Sequence, residues 1–225
     1  MLAGAAVHMP QDLGADMAES YPLALPTHTG IRSIELTAID VVAATVSPFT
    51  GSTQVVRRQG QWWSASVTLP AMKRVDAVYW ITFLRRLRGM YGTFLMGDPD
   101  GATPRGTAAS APGTPVVKGA SQTGSYLVID GAPAGSAGYL LSGDYIQLGT
   151  GTASRLHQVQ EDAASDGSGN VTLNLWPDLR TSPADNAAVV VSSAKGHFRR
   201  ADNSQPASAN EASIYGLTFS AIEAL

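Results

Sequence analysis

The sequence of 225 residues contains no cysteine. This absence excludes disulfide bonds, thiolate metal sites and cysteine nucleophiles. Charged residues are also scarce, at 15% of the chain, and the formal net charge is only -3 at pH 7. Because the net charge is small, the chain has no overall field that would gather nucleic acid or anionic lipid.

Long apolar runs are missing as well. No run approaches the roughly 20 apolar residues that a membrane span needs. The first 25 residues contain no Lys or Arg ahead of their short apolar run, which argues against a signal peptide. We therefore expect a soluble protein that is not secreted and does not insert into a membrane.

The usual catalytic and metal-binding patterns are absent too. The histidines occur singly, without HxH or HExxH spacing, at His8, His28, His157 and His197. The sequence has no G-x-S-x-G elbow, no phosphate-binding loop that ends in Gly-Lys-Ser/Thr and no dinucleotide-binding fingerprint. These absences predict a protein that is not an enzyme and that holds no metal or cofactor.

The strongest pattern present is a strand, a helix and a second strand between Trp62 and Met96. Apolar residues alternate along residues 63–69, which is typical of a half-buried strand. From Val75 to Arg88 the apolar residues recur at helical spacing, and Gly89 follows as a suitable C-terminal cap. Residues 91–96 alternate again. We expect one amphipathic helix to pack on a β-sheet.

The rest of the first half predicts more strands. Residues 1–30 have three prolines and no sustained period, which favours an extended arm. Residues 31–46 suggest one long strand with a bulge, or two joined strands. A strand at 54–58 and a turn at Gln59-Gly60-Gln61 before the tryptophan strand would complete a meander of three antiparallel strands. The last strand, near residues 215–221, is expected to return to this sheet because a lone strand is unstable.

The second half is built from many short extended segments. Asp98–Gly113 has the composition of a linker or loop, and short strands separated by Gly-rich turns follow it. Together with the 23 glycines and 13 prolines, these favour a mainly β fold. We expect a split β-barrel or β-sandwich with one flanking helix in residues 31–112 and 198–225, and an inserted small β-barrel or sandwich in residues 113–197.

Four polar or aromatic residues stand out as candidates for a subunit interface. Trp62 is predicted to lie on the face of its strand that points away from the core, where an aromatic side chain fits a subunit contact. Arg85, Arg86 and Arg88 form a small basic patch at the end of the helix. In the structural interpretation, the three arginines are simply the solvated end of the helix. In the functional interpretation, they form a bidentate ion pair with an acidic neighbour.

Two sets of motifs resemble tail proteins of long-tailed bacteriophages. The first is similar to the N-terminal hub region of these proteins: Trp63-Ser64-Ala65-Ser66-Val67-Thr68-Leu69-Pro70, Tyr79-Trp80, Phe83-Leu84, Leu87-Arg88-Gly89, Gly92-Thr93-Phe94 and Gly97-Asp98-Pro99. The second resembles their second module: Gly143-Asp144-Tyr145-Ile146, His157-Gln158-Val159, Asp166-Gly167-Ser168-Gly169 and Leu175-Trp176-Pro177-Asp178-Leu179-Arg180.

The resemblance implies a distal tail or baseplate-hub protein. Such a structural protein would form a homo-oligomeric ring, usually hexameric, that joins the tail tube protein to the tail-tip and hub proteins, with DNA passing only through the lumen. It would be made in the bacterial host cytoplasm and belong to the virion. Two alternatives stay open: a lectin-like module that binds a host surface glycan, and a hydrolase that acts on cell-wall polymer.

Overall fold

The computed structural model describes residues 19–27, 29–204, 208–209 and 214–225. His8, His28 and most of the predicted N-terminal arm lie outside these ranges. The described part is mainly β, with one α-helix. Its elements are β1 (Ser33–Val46), β2 (Thr53–Thr68), β3 (Met72–Lys73), α1 (Arg74–Arg86), β4 (Thr93–Met96), β5 (Val116–Val117), β6 (Gly124–Asp130), β7 (Tyr145–Leu148), β8 (Arg155–Val159), β9 (Val171–Leu179), β10 (Val189–Val190), β11 (Gly196–Arg200), β12 (Ser208–Ala209), β13 (Ile214–Gly216) and β14 (Thr218–Glu223).

A five-stranded sheet with the order β1-β2-β14-β11-β4 forms the first half of the fold. The last strand, β14, pairs antiparallel with β2, so its predicted return to the first sheet is confirmed. A smaller sheet with the order β12-β13-β3 lies beside it. Leu217, Phe219 and Ala221 alternate toward the core, which explains why this segment needs a sheet to cover it.

Helix α1 packs on this sheet as the apolar spacing predicted. Ala77, Trp80 and Leu84 are buried in the same core as Ala65 and Val67 of β2. The helix ends at Arg86, two residues earlier than predicted. Gly89 follows with φ +70°, a left-handed conformation that favours glycine at the end of a helix.

The predicted meander of three strands is wrong. β2 runs without a turn through Gln59, Gly60 and Gln61, so β1 and β2 form one long hairpin whose turn lies at residues 47–52. The pairing passes from Asp40 opposite Gln61 to Val42 opposite Arg57, so the extra residues of β2 are absorbed in a bulge. The polar residues and glycine of Gln59-Gly60-Gln61 predicted a turn, but the pairing of β2 with the long strand β1 keeps this segment extended.

The second half is a barrel-like sheet of six strands in the order β10-β7-β8-β9-β6-β5. It is nearly closed, because Val116 in β5 forms a bridge with Ala188, which directly precedes β10. Its own core contains Leu127, Ile129 and Leu173. The part of the chain for which a small barrel or sandwich was predicted is therefore barrel-like. The predicted split-barrel hub arrangement and the domain boundaries remain predictions.

Residues 195–200 do not close this barrel, contrary to the sequence-based interpretation. β11 pairs with β4 and β14 in the first sheet instead. Phe198 stacks at 6.4 Å from Phe94 between ring centroids, inside the first core. β4, about 100 residues earlier in the chain, and the C-terminal strand β14 thus hold β11 in place, and a local sequence pattern carries no signal for such distant partners.

Candidate assembly surface and the junction beneath it

The far end of the β1–β2 hairpin is exposed on both of its faces. We call residues 41–58 the distal hairpin. All strand residues in it, 41–46 and 53–58, are exposed. Its turn is closed by backbone hydrogen bonds from Ser47 N to Ser52 O and from Gly51 N to Ser47 O, each of 2.9 Å. The hairpin is well formed, yet the described residues leave all of its strand residues exposed.

The distal hairpin exposes several large apolar side chains to solvent. Val46 is 59% exposed, Val55 is 61% exposed and Phe49 at the turn is 95% exposed. Ala44 lies opposite Val55 in the register, so Val42, Ala44, Val46 and Val55 share one face. A two-stranded hairpin is at best marginally stable alone, and clustered exposed apolar side chains mark interaction surfaces.

Both edges of the distal hairpin lack a strand partner in the described residues. β1 is the end strand of its sheet, and β14 reaches β2 only at residues 64–68. The other end of the sheet is covered: Leu23 N donates to Thr93 O at 2.8 Å, and Leu95 N donates to Leu23 O at 3.0 Å. The chain therefore blocks one sheet edge with its own segment and leaves the hairpin edges open to pairing.

The structure does not bring the four predicted interface residues together. Trp62 lies opposite Ile39 in the register, half-buried, on the face of β2 that alternates with the core residue Trp63. Arg85, Arg86 and Arg88 are exposed at the C-terminal end of α1. Because α1 packs on the core face, Trp62 and the arginines lie on opposite faces of the sheet.

One of the three arginines is engaged within the chain. Arg86 forms an ion pair and hydrogen bond with Glu19, and this bond lowers the pKa of Glu19. Tyr21 Oη donates a hydrogen bond of 2.7 Å to the backbone oxygen of Arg86. The helix end thus anchors residues 19–21. For Arg86, the ion pair with an acidic residue that the sequence suggested is formed within the chain.

An ion pair with a buried carboxylate joins the barrel to the first sheet. Glu223 in β14 is only 4% exposed. Arg180, directly after β9, donates from Nη1 and Nη2 to the two carboxylate oxygens of Glu223, each at 2.9 Å. Glu223 also accepts a hydrogen bond of 3.2 Å from the backbone nitrogen of Trp63. The carboxylate therefore has partners for both oxygens, as a buried charge requires.

A second polar cluster extends the junction toward the hairpin. Asp40 Oδ1 accepts hydrogen bonds from Gln61 Nε2 at 2.7 Å and from Trp176 Nε1 at 3.2 Å. Gln61 Oε1 in turn accepts from Asp178 N at 2.8 Å. Arg57, within the distal hairpin, forms an ion pair of 2.8 Å with Asp178. These hydrogen bonds and the ion pair attach the barrel to the base of the hairpin.

Sequence analysis missed this junction, although one signal was available. Glu223 shares the phase of Phe219 and Ala221, so it lies on the buried face of a strand. A carboxylate on a buried face requires a partner, and a search for one could have suggested the arginine in Leu175-Trp176-Pro177-Asp178-Leu179-Arg180. Nothing in the sequence shows which arginine it meets.

Two histidines are buried near the junction. His157 Nδ1 lies 2.7 Å from Pro177 O, and burial lowers the pKa of His157 to about 4. Burial also lowers the pKa of His197, both of whose ring nitrogens have no hydrogen-bond partner among the described residues. Both rings are therefore uncharged near neutral pH.

The ranges that the structure covers contain no group of three or more His, Asp or Glu side chains able to hold a metal ion. No helix in those ranges combines the length and apolar character needed to cross a membrane. Comparison with protein-family models and with curated proteins gives no match for this chain. The function must therefore be inferred from the surfaces described above.

Proposed function

We propose that the protein is a structural subunit whose identical copies join through their distal hairpins into a closed ring. The observation that carries this proposal is the hairpin itself: a long, ordered pair of strands with apolar side chains exposed and both edges unpaired in the described residues. Such edges bind further strands readily. In proteins that stay monomeric, exposed strand edges are usually short, carry charged residues or are covered by another element.

The two open edges favour head-to-tail pairing. One edge belongs to β1 and the other to β2, so the β1 edge of one copy can pair with the β2 edge of the next. This contact joins different surfaces, which makes it heterologous, and heterologous contacts generate rings when the rotation closes. Each copy then contributes two antiparallel strands to a continuous wall. Pairing also places Val42, Val46 and Val55 of neighbouring copies side by side on one face.

The resemblance to distal tail and baseplate-hub proteins supplies a setting for such a ring. In this proposal the protein is a non-enzymatic virion component, made in the bacterial host cytoplasm, without a metal or cofactor. The ring, expected to be hexameric, joins the tail tube to tail-tip proteins, and DNA passes through its lumen. The junction around Glu223 and Asp40 supports this role because its hydrogen bonds hold the base of each hairpin.

The alternative role as a glycan-binding module has less geometric support. Trp176 is committed to the junction, where its indole donates to Asp40 and its ring packs edge-on to Trp63 at 4.5 Å between centroids. Tyr139 is fully buried, whereas Tyr126 is exposed. One exposed ring in the described barrel is a poor platform for stacking against sugars.

Light scattering on the purified full chain tests the proposal. We expect a mass several times that of one chain, and we expect Val55→Asp to shift the protein toward single copies, because a carboxylate cannot be buried between apolar neighbours. Val75→Asp is the matched control: Val75 is 67% exposed on α1, outside the hairpin, and Asp suits the first turn of a helix. Equal effects of both substitutions, or a single-chain mass for the unsubstituted protein at every concentration, would contradict the proposal.

A further inference from the structure

The six-stranded barrel has a cavity of about 260 Å³ at one end. Its walls come from the β7–β8 region and from the segment that follows β9. Leu148, Leu179 and Ala187 contribute apolar surface, and Arg155, His157 and Arg180 contribute the charged or titratable groups. Barrel mouths with mostly apolar walls and a few placed polar groups are common positions for small-molecule sites.

The pleat of β8 explains why Arg155 and His157 line this cavity. Side chains alternate along a strand, so Arg155, His157 and Val159 share a face. Val159 lies in the barrel core, whereas Leu156, on the opposite face, packs in the core of the first sheet. The two polar residues therefore occupy barrel-interior positions near its open end, where an apolar residue is the ordinary choice.

Arg155 is a half-buried cation without a carboxylate partner. No described Asp or Glu lies within ion-pair distance of it, and its Nη1 donates only to the backbone oxygens of Thr152 and Ser154. Burial lowers the pKa of Arg155; the more distant charge of Glu223 opposes this shift, and Arg180 adds to it. Since Arg180 is paired with Glu223, the cavity wall keeps one positive charge in excess. An anion would balance it.

His157 adds a directional group to the same wall. Pro177 O can only accept a hydrogen bond, so Nδ1 of His157 carries the proton. In the uncharged ring, Nε2 then keeps its lone pair and acts as an acceptor. The cavity thus combines a cation, an acceptor and apolar walls. Its size is sufficient for a single ring, because an apolar cavity of about 150 Å³ already binds benzene.

We propose that this cavity binds a small organic carboxylate with an apolar body, and that Arg155 pairs with its carboxylate while Leu148 and Leu179 contact its body. This site is separate from the distal hairpin, so the proposal does not depend on ring formation. Because Arg180 is held by Glu223 and Arg155 is not, Arg155 is the residue that recognises the charge.

Ligand-observed NMR titration of the full chain with benzoate and with benzamide tests this assignment. The two probes have nearly the same shape and differ in charge. We expect benzoate to saturate with a Kd at or below about 1 mM, and benzamide to bind at least about tenfold more weakly. Arg155→Gln should weaken benzoate at least about tenfold and leave benzamide unchanged, since only the charged contact is lost.

Two further variants serve as controls. Arg74→Gln removes an exposed arginine at the start of α1, outside this cavity, and should leave both titrations unchanged. Ala184→Leu, at an exposed position on the rim, should obstruct the cavity and weaken both probes without disturbing the core. Should Arg155→Gln not fold, the comparison of the two probes and Ala184→Leu decide the matter. Equal affinity for benzoate and benzamide, no saturable binding, or equal loss with Arg74→Gln would overturn the proposal.

Discussion

Arg180 and Glu223 face each other across the boundary between the barrel and the first sheet, with two hydrogen bonds of 2.9 Å between guanidinium and carboxylate. Arg180 also donates to the backbone oxygen of Gln61 in β2. One arginine therefore connects the end of β9 to two neighbouring strands of the sheet. The barrel cannot rotate on the sheet without breaking this ion pair, whose carboxylate is buried.

Removing the carboxylate of this pair should destabilise the fold strongly. Glu223→Ala leaves the buried backbone nitrogen of Trp63 without its acceptor and removes the partner of Arg180, and an unsatisfied buried donor costs about 1 to 3 kcal/mol. We expect the free energy of unfolding, measured by urea titration with tryptophan fluorescence, to fall by an amount in this range.

The exposed ion pair at the same junction provides the control. The side chain of Arg57 is 60% exposed in its pair with Asp178, and exposed pairs contribute about 0 to 1 kcal/mol. Arg57→Ala should therefore change the free energy of unfolding by less than about 1 kcal/mol. A loss as large as that of Glu223→Ala would show that burial does not control the strength of these contacts.

His157 should make stability fall in mild acid. Its pKa is about 4 in the folded protein, against an ordinary value of 6.5, so the unfolded chain binds more protons between these pH values. The free energy of unfolding therefore falls as pH decreases from 6.5 to 4, by at most about 3 kcal/mol from this residue. The buried His197 acts in the same direction.

Urea titrations at several pH values, with the unsubstituted chain and His157→Gln, isolate this effect. Glutamine does not titrate and its amide can donate to Pro177 O. We expect the difference in unfolding free energy between the two proteins to change between pH 6.5 and 4, in favour of the variant at the acid end. A difference that is constant with pH would mean that the folded protein accepts a proton on His157 easily.

Gly97 should tolerate no larger residue. A Cβ atom at this position would lie 2.0 Å from the backbone oxygen of Ala194, which is held in the core. Gly97→Ala should lower the free energy of unfolding by about 1 to 3 kcal/mol, the usual cost of overpacking. Gly216→Ala is the control, because no heavy atom lies within 4 Å of its Cβ position, and it should change stability by less than about 0.5 kcal/mol. Similar thermal unfolding of both variants would contradict the close contact.

The sequence was most informative where the spacing of apolar residues follows the period of a single strand or helix. The alternation in residues 63–69 and the helical spacing in α1 both reflect burial against a neighbour, so strand, helix and core face could be predicted together. Gly89 was predictable because a helix end often needs a left-handed residue. The turn-rich second half predicted a small barrel or sandwich for the same local reason.

The remaining features could not be predicted because they depend on pairing between strands that are far apart in the sequence. Gln59-Gly60-Gln61 carries a turn composition, but its partner strand keeps it extended. β11 joins the first sheet because β4 and β14 offer edges that no local pattern reveals. The edges of the distal hairpin are open because β14 pairs with β2 only at residues 64–68 and β1 is the end strand of its sheet, and a local sequence pattern shows neither fact. Trp62 and the arginines were predicted from exposure alone, and exposure does not show that they lie on opposite faces.

Images of the purified full-length protein by electron cryo-microscopy test the central proposal most directly. We expect a closed ring in which residues 41–58 of neighbouring copies pair edge to edge and form the wall of a central channel. Single copies at all concentrations, or a ring whose contacts leave the distal hairpins unpaired, would contradict the proposal.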